Sequence, residues 1–240
     1  MEVESRTLVI NGKSYYVQAE VDGMLLAQDT TMSHRYRILK LKESDFDNIT
    51  LRNEFRAVFE LQGACRTKPL RSGPQVAPET NTTKQSNPNF NLIQKVVDYS
   101  LDPKCYAIVL EGYTQKVKNL FDNRTFLTER QAQDIFQNLF NSLLVLHQNN
   151  IAHLDIRLEN VVLIDGVYKL ANFKHAQLCS RYTTISKYTT TTFQAPELFR
   201  GEGNPFRADV WACGVFLYVL LHSRVPFTVE QLQSGNTNLV

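Results

Sequence analysis

The stretch AHLDIRLENVVL, residues 152–163, contains a carboxylate and a carboxamide close enough in sequence to act together in a reaction. Asp155 and Asn160 stand five residues apart, between a helix-like pattern and a strand-like pattern. Two side chains at this spacing can converge on one phosphate group from a single loop, and their order is that of a phosphoryl-transfer catalytic loop. The alternative interpretation is that the two are loop-capping residues, which are common. The elements and motifs around the stretch must decide between these interpretations.

The composition is that of an ordinary globular protein. The 240 residues are 43% hydrophobic and 21% charged, and the net charge of +2 gives no reason to expect nucleic acid or a membrane surface as a partner. The longest apolar run, residues 210–221, is too short to span a bilayer, and the N-terminus lacks the pattern of a secretory signal. None of the cysteines forms a CxxC pair, and this predicts reduced thiols in a cytoplasmic protein. The cysteines are Cys65, Cys105, Cys179 and Cys213.

The first part of the chain is predicted to be rich in strands. Three β-rich runs within residues 7–29 are separated by Asn11-Gly12 and Asp22-Gly23, and these dipeptides are the strongest short hairpin signals. Further runs of the same kind lie at residues 36–42 and 92–113. We therefore expect an antiparallel sheet in this part.

One helix and one insertion interrupt the predicted strands. Apolar residues at helical spacing predict a helix over residues 49–64. Residues 65–89 are rich in Pro, Thr, Ser and Asn, which is typical of a flexible insertion. A partner-binding element is the alternative for this insertion, and plain disorder is the favoured interpretation.

Helices dominate the prediction from about residue 116 onward. Residues 127–150 carry one apolar face, and Thr128 with Gln131 forms a capping-box pattern at its start. An apolar helix is predicted over residues 209–222. A strand-rich part followed by a helix-rich part predicts an α+β fold. We expect two lobes, an N-lobe of residues 1–113 and a C-lobe of residues 114–240, which together form one domain.

Four motifs of the sequence resemble motifs of the protein kinase superfamily and follow one another in the same order. HLDIRLEN resembles the catalytic loop H-R-D-L-x-x-x-N, and NFK at 172–174 stands where that family has D-F-G. QAPEL at 194–198 matches A-P-E, and DVWACGV at 209–215 matches D-x-W-S-x-G. The resemblance implies a bilobal kinase-like fold, with an antiparallel sheet and one helix in the N-lobe and a mainly helical, C-terminally shortened C-lobe. Within the superfamily, the chain looks most like the calmodulin-kinase-related branch of titin, obscurin and Trio kinases.

The resemblance also assigns roles to residues of the loop. Asp155 would accept the proton of a substrate hydroxyl, and Asn160 would hold a magnesium ion. Arg157 aligns with a lysine that contacts phosphate in the family, although a surface ion pair explains this arginine nearly as well. The residues that the resemblance places around a nucleotide are Lys40, Glu54, Leu110, Val162 and Asn172.

Several of these residues have specific expected positions. Lys40 looks like the strand lysine that pairs with Glu54 of the helix, although Lys42 competes for that position. Leu110 would gate the back of the nucleotide pocket, and Val162 would lie under the adenine ring. Four further residues are expected to have structural roles. His153 and Phe173 would belong to a stacked hydrophobic column with Val58, Asp209 would brace the loop backbone, and Glu197 would close the activation segment.

The departures from the family pattern concern the metal and the phosphates. Asn172 replaces the aspartate of D-F-G, so the main carboxylate ligand of Mg²⁺ is lost. A loss on the order of 3–5 kcal/mol of barrier lowering corresponds to roughly 10²–10⁴ in rate. Lys174 replaces the glycine and adds a cation where the metal would sit. No G-x-G-x-x-G is present, and the turn at residues 20–25 offers one glycine beside two carboxylates.

Two further departures concern the activation segment and the C-lobe. Leu154 replaces the arginine of H-R-D, which reads a phosphate on the activation loop in the family. The sequence continues for only about 30 residues after Asp209. We therefore expect Glu197 to lack its usual arginine, and part of the apolar helix to be uncovered unless a partner covers it.

The favoured hypothesis is a pseudokinase, a kinase-like domain with impaired catalysis that acts as an interaction or allosteric scaffold. We expect no required cofactor, weak or absent ATP binding, no firm Mg²⁺ binding and one or more protein partners in the cytoplasm or on the cytoskeleton. The alternative is a weak or atypical ATP-dependent Ser/Thr kinase that uses Asp155 as base and Asn160 as metal ligand.

Overall fold

The computed structural model describes residues 6–21, 24–29, 35–40, 91–102, 105–122, 127–180, 182–185, 191–201, 203–235 and 237. The predicted helix over 49–64, which contains Glu54 and Val58, lies outside the described residues, as do Lys42 and the predicted insertion at 65–89. Strands fill the first part of the described chain and helices dominate the second part. The predicted α+β class is therefore confirmed.

Six strands form one antiparallel sheet in the order β1-β2-β3-β4-β6-β5. The strands are β1 (Arg6–Ile10), β2 (Lys13–Val21), β3 (Met24–Asp29), β4 (Arg35–Lys40), β5 (Val96–Asp102) and β6 (Cys105–Glu111). Each β-rich run of the sequence supplies a strand of this sheet, so the predicted antiparallel sheet is confirmed.

A two-residue hairpin joins β1 to β2. Ile10 lies opposite Lys13, and Asn11 and Gly12 between them adopt φ values of 49° and 78°. Positive φ at both central residues is the turn geometry that Asn-Gly favours, so the hairpin prediction at this dipeptide is confirmed. The Asp22-Gly23 dipeptide lies outside the described residues, and β2 pairs with β3 up to Val21 opposite Met24.

The sheet curls so that its first hairpin reaches its last strand. The side chain of Asn11 donates hydrogen bonds from Nδ2 to Asp98 Oδ1 at 2.7 Å and to the backbone oxygen of Tyr99 at 2.8 Å. The curled sheet encloses an apolar core of its own. The buried members of this core are Ile10, Tyr15, Val17, Ala27, Ile38, Ala107 and Val109.

The second part of the chain contains five helices among its described residues, with short strands between them. The elements are β7 (Gln115–Lys116), α1 (Val117–Asp122), α2 (Glu129–Gln148), β8 (Ile151–Ala152), a 3₁₀ turn (Leu158–Asn160), β9 (Val161–Ile164), β10 (Val167–Leu170), β11 (Gln177–Leu178), α3 (Pro196–Phe199), α4 (Pro205–His222) and α5 (Val229–Ser234). Thr128 caps α2 through the predicted capping box with Gln131, which confirms that start.

Helix α4 begins four residues before the predicted start at residue 209. The side chain of Asn204 accepts hydrogen bonds from the backbone N–H groups of Phe206 and Arg207. Pro205 follows at the first helical position, where its missing N–H costs nothing. The cap and the proline therefore set the start of α4 ahead of its apolar run.

Helix α2 packs against both α4 and β10 around the main core of the protein. The outer face of α4 is apolar and exposed, with Val210 55% and Leu221 52% accessible. The sheet and the helices are joined where Gln94 N donates to Leu170 O at 2.9 Å and Ser142 Oγ donates to Leu92 O at 2.8 Å. None of the helices in the described ranges is both long enough and apolar enough to cross a membrane.

Candidate functional site

The loop that carries Asp155 is held from below by Asp209 of α4. The loop follows β8 and ends in the 3₁₀ turn, and Asp209 is 1% exposed beneath it. Its carboxylate accepts hydrogen bonds from the backbone N–H groups of His153 at 2.8 Å and Leu154 at 2.7 Å. The Nε2 atom of His147 lies 3.0 Å from the same carboxylate. A buried carboxylate with three partners fixes the path of the loop.

Leu154 adopts a backbone conformation that leucine rarely adopts. Its φ is 64°, in the left-handed region where a Cβ crowds the following carbonyl oxygen. Such strain persists only where the surroundings hold the residue in place. The hydrogen bond from Leu154 N to Asp209 Oδ1 supplies that restraint.

His153 is fully buried and links the loop to the segment after β10. Its Nε2 lies 3.1 Å from Ala171 O, and its Nδ1 accepts a hydrogen bond from Asp155 N at 3.3 Å. Burial lowers the pKa of His153, in spite of the opposing charges of Asp209 and Asp155. The imidazole is therefore neutral, with its proton on Nε2. Its ring lies edge-on to Phe173 with 5.1 Å between the ring centroids, so the structure brings these two predicted column members together.

Asp155, Asn160 and Asn172 are joined by hydrogen bonds to one another. The Asn160 Nδ2 atom donates to Asp155 Oδ2 and to Asp155 O, both at 2.7 Å. The Asn172 Nδ2 atom donates to Asn160 Oδ1 at 3.0 Å. Asn172 has a φ of 61°, which asparagine tolerates better than most residues. The structure thus gathers the predicted base and both predicted metal-side residues into one network.

Two cationic residues near this network point to other environments. Arg157 Nε lies 3.0 Å from Glu159 Oε2 in the adjacent 3₁₀ turn, and Lys118 Nζ lies 3.8 Å from the other Glu159 oxygen. Arg157 therefore takes part in a local ion pair. Lys174 is exposed, so its side chain does not fill a buried phosphate space.

The donor set of the network does not suit Mg²⁺. Magnesium in proteins is held mainly through carboxylates and phosphate oxygens. The network offers one carboxylate, and both its Oδ2 atom and the Asn160 Oδ1 atom already accept hydrogen bonds. Within the part of the chain that the structure describes, no three His, Cys, Asp or Glu side chains group closely enough to hold a metal ion.

The strand register separates two of the predicted nucleotide residues. Lys40 lies opposite Ala107, whereas Leu110 lies opposite Arg37, and the pairing between β4 and β6 has no bulge. Residues directly opposite on antiparallel strands share a face, and neighbours along a strand alternate. The Lys40 and Leu110 positions therefore belong to opposite faces of the sheet. Val162 is 1% exposed and packs with Ile164, Ala171 and Tyr113.

Asp155 is one of the residues that line a shallow pocket. Phe193, Gln194 and Leu198 line it together with Leu154 and other residues of the loop and α4. Gln194 is 7% exposed, and neither Nε2 nor Oε1 of its carboxamide has a hydrogen-bond partner among the described residues. Glu197 lies on α3 and makes no ion pair with another described residue.

Sequence reasoning missed some residues that shape the site. His147 is one of them, because its contact with Asp209 joins positions 62 residues apart, which no local pattern signals. Arg37 and Tyr113 were also missed, although the guanidinium carbon of Arg37 lies 3.5 Å from the centre of the Tyr113 ring. A cation in one strand and an aromatic residue that follows a different strand give no sequence signal that they are in contact.

Comparison with known proteins places the chain in a family. The protein kinase domain profile matches residues 64–239. The chain is 32% identical over 188 residues to the CBL-interacting serine/threonine-protein kinase 17 of Arabidopsis thaliana, which covers 74% of this chain and 42% of that protein. It is 31% identical over 139 residues to a death-associated protein kinase related protein of Drosophila melanogaster, covering 55% of this chain and 21% of the relative.

A third relative is the serine/threonine-protein kinase stk11 homolog of Dictyostelium discoideum, at 29% identity over 186 residues, 72% of this chain and 31% of the relative. The chain therefore belongs to the protein kinase domain family, and its fold is the bilobal kinase-like fold that the motifs predicted. The chain spans less than half the length of each of these relatives.

Proposed function

We propose that this chain is a pseudokinase, a protein kinase domain with little or no phosphotransfer that serves as an interaction or allosteric scaffold. The observation that carries the proposal is the closed network of Asp155, Asn160 and Asn172. In this network the groups that would hold a metal ion and take a proton bind each other instead.

The charge balance of the network supports the same proposal. Phosphoryl transfer requires positive charge held near the transferred group, and the protein supplies it largely through a carboxylate-bound metal. With Asn172 in place of a carboxylate, one negative charge is available where the bound ion carries two positive charges. A neutral carboxamide offers one oxygen, and the Asn172 amide nitrogen is the atom that faces Asn160.

The retained framework supports the scaffold role. Asp209 braces the loop and His153 packs on Phe173, and neither contact requires a metal or a nucleotide. We propose that this rigid framework presents a surface to a protein partner. The apolar outer face of α4, with Val210 and Leu221 exposed, is a candidate for that contact.

The finer assignments belong to the same proposal. We propose lobes of residues 1–113 and 114–240, a cytoplasmic or cytoskeletal location and a relationship to the titin, obscurin and Trio branch. The motifs HLDIRLEN and VFLYVLLHSRVPF support the branch. We further propose that ATP binding is weak or absent and that the protein requires neither ATP nor Mg²⁺.

A weak or atypical Ser/Thr kinase is the second candidate. The observation in its favour is the pocket beside Asp155, where Gln194 is buried without a hydrogen-bond partner in the part of the chain that the structure describes. An acceptor hydroxyl could approach Asp155 from this side. Two of the named relatives are serine/threonine-protein kinases by name, which agrees with this candidate, so the proposal above rests on the network.

Two measurements on the same protein test the proposal. We expect ATP to produce the same unfolding temperature with and without Mg²⁺, because a ligand stabilises only by its binding free energy. We also expect phosphate transfer from labelled ATP to a general protein substrate to equal that of Asp155→Ala. A Mg²⁺-dependent rise in the unfolding temperature, or transfer that Asp155→Ala abolishes, would establish the second candidate instead.

A further inference from the structure

Arg37 lies on the face of β4 that points away from the core of the curled sheet. It is directly opposite Leu110 on β6, whereas its neighbour Ile38 is opposite Val109 and belongs to the sheet core. Arg37 and Leu110 therefore share a face. Arg37 is only 8% exposed, although it is a charged residue on a strand with an exposed arginine two positions before it.

Tyr113 is the platform on which Arg37 rests. The guanidinium carbon of Arg37 lies 3.5 Å from the centre of the Tyr113 ring, a distance at which the planar group stacks on the aromatic face. Tyr113 in turn packs against the cluster of Val162, Ile164 and Ala171. A continuous column of side chains therefore runs from β4 through Tyr113 to β9.

Hydrogen bonds hold the segment after β6 in place beside this column. Gln94 Nε2 donates to Glu111 O at 2.7 Å, and Lys169 Nζ lies 2.9 Å from Glu111 Oε2. Gly112 N donates to Arg35 O at 2.9 Å. A Cβ on Gly112 would lie 2.5 Å from that oxygen, so only glycine allows this approach. Tyr113 is thereby fixed under β4.

The column ends at Val162, which the kinase resemblance places under the adenine ring. It begins at Arg37, opposite Leu110, which the resemblance places at the back of the nucleotide pocket. Val162 is 1% exposed and Ala171 3% exposed, and Tyr113 packs against the cluster that contains both. A guanidinium is planar and delocalised, and it stacks on aromatic and apolar surfaces as an aromatic base does.

We propose that Arg37 is a built-in occupant of the adenine position, held on Tyr113 above Val162, so that a purine base can enter only when Arg37 leaves. This inference deepens the proposed function and rests on it. The proposed function and this inference concern different sites. The network of Asp155, Asn160 and Asn172 governs binding of the metal, and the column of Arg37 and Tyr113 governs binding of the base. The first is tested with metal and the second without it.

Adenosine in the presence of a metal chelator is the probe, because it has a base and no phosphate. Isothermal titration should detect no binding to the unchanged protein and clear binding to Arg37→Ala, with affinity at least about tenfold higher, equal to ~1.4 kcal/mol. Arg35→Ala is the matched control, since it removes an exposed guanidinium from the same strand. We expect Arg35→Ala to behave as the unchanged protein does.

Two further variants secure the result. Arg37→Gln keeps a polar side chain and guards against a folding defect of Arg37→Ala, and circular dichroism checks both. Adding Val162→Phe to Arg37→Ala should remove the adenosine binding, because the phenyl ring would refill the vacated space. Adenosine binding that survives this addition would overturn the inference.

Two other outcomes would overturn it. In the first, the unchanged protein binds adenosine as tightly as Arg37→Ala does. In the second, Arg37→Ala and Arg37→Gln are folded and neither binds adenosine. Both outcomes leave the pseudokinase proposal standing, because that proposal fails only through Mg²⁺-dependent ATP binding or phosphate transfer.

Discussion

The two sides of the catalytic-type loop differ in what binds them. On the side that faces α4, the carboxylate of Asp209 accepts hydrogen bonds from the backbone N–H groups of His153 and Leu154. These contacts involve only groups of the chain itself. On the other side, the Asn160 Oδ1 atom, an oxygen that a metal ion would need, accepts a hydrogen bond from Asn172 Nδ2. Positioning of the loop and binding of a metal are therefore separable properties of this fold.

The largest effect is expected on the side that faces α4. Asp209→Ala leaves two buried N–H groups without an acceptor and releases the strained backbone of Leu154. We expect the free energy of unfolding to fall by about 3–5 kcal/mol. Urea unfolding followed by circular dichroism measures it. Asp134→Ala, an exposed change on α2, is the control, and an equally small effect of the two variants would refute the bracing role.

A pair of glycine variants tests the segment between the sheet and the helices. A Cβ on Gly112 would meet Arg35 C and O at 2.5 Å, whereas a Cβ on Gly214 of α4 has nothing within 4 Å. We expect Gly112→Ala to destabilise the protein by about 1–3 kcal/mol through overpacking. Gly214→Ala should stabilise it by about 0.5–1 kcal/mol, because glycine is unfavourable inside a helix.

Urea unfolding of both glycine variants gives the comparison directly. Destabilisation of similar size in the two would show that the close approach of Gly112 to Arg35 is not required. An unchanged Gly112→Ala with a stabilised Gly214→Ala would lead to the same conclusion.

The buried His153 predicts a dependence of stability on pH. Its pKa is lowered in the folded state, so the unfolded chain binds the proton more readily between that pKa and the ordinary value near 6.5. Its contribution is complete above pH 6.5 and is lost as the pH falls. The free energy of unfolding should drop by up to about 1.4 kcal/mol per pH unit below 6.5.

Chemical unfolding between pH 7.5 and 5.5 measures this slope. Gln133→Ala, an exposed change on α2, provides the control and should leave the slope unchanged, whereas His153→Gln should flatten it. An equal slope in all three proteins would assign the pH dependence to other groups.

A smaller effect on stability than that of Asp209→Ala is expected on the other side of the loop, at Asn172. Asn172→Asp removes the donor to Asn160 Oδ1 and adds a carboxylate close to Asp155. We expect a loss of about 1 kcal/mol without metal. Added Mg²⁺ should recover part of this loss in thermal unfolding. Asn141→Asp on α2 should show no response to Mg²⁺, and a response of the unchanged protein as large as that of Asn172→Asp would count against the comparison.

Much of the fold could be predicted because its signals are local. The Asn11-Gly12 turn needs positive φ at both residues, and the Thr128 cap needs only the Gln131 that follows it. The start of α4 was predicted too late because the apolar pattern begins at residue 209, while the cap at Asn204 depends on polar residues ahead of that pattern.

The site was predictable to the extent that motifs order its residues along the chain. Motif spacing led to Asp155, Asn160 and Asn172, which the structure brings together. Strand register decides which residues of β4 face Leu110, and both faces of β4 and β6 carry apolar residues, so the pattern does not reveal the register. The stack of Arg37 on Tyr113 depends on that register and was not predictable.

Manganese binding tests the central claim most directly, because Mn²⁺ takes the ligands of Mg²⁺ and its electron paramagnetic resonance spectrum reports its coordination. Inorganic tripolyphosphate is the co-ligand, since it requires no base pocket. We predict that the unchanged protein leaves the spectrum of manganese tripolyphosphate as it is in buffer, while Asn172→Asp alters it. A spectrum altered by the unchanged protein and restored by Asn160→Ala would contradict the account.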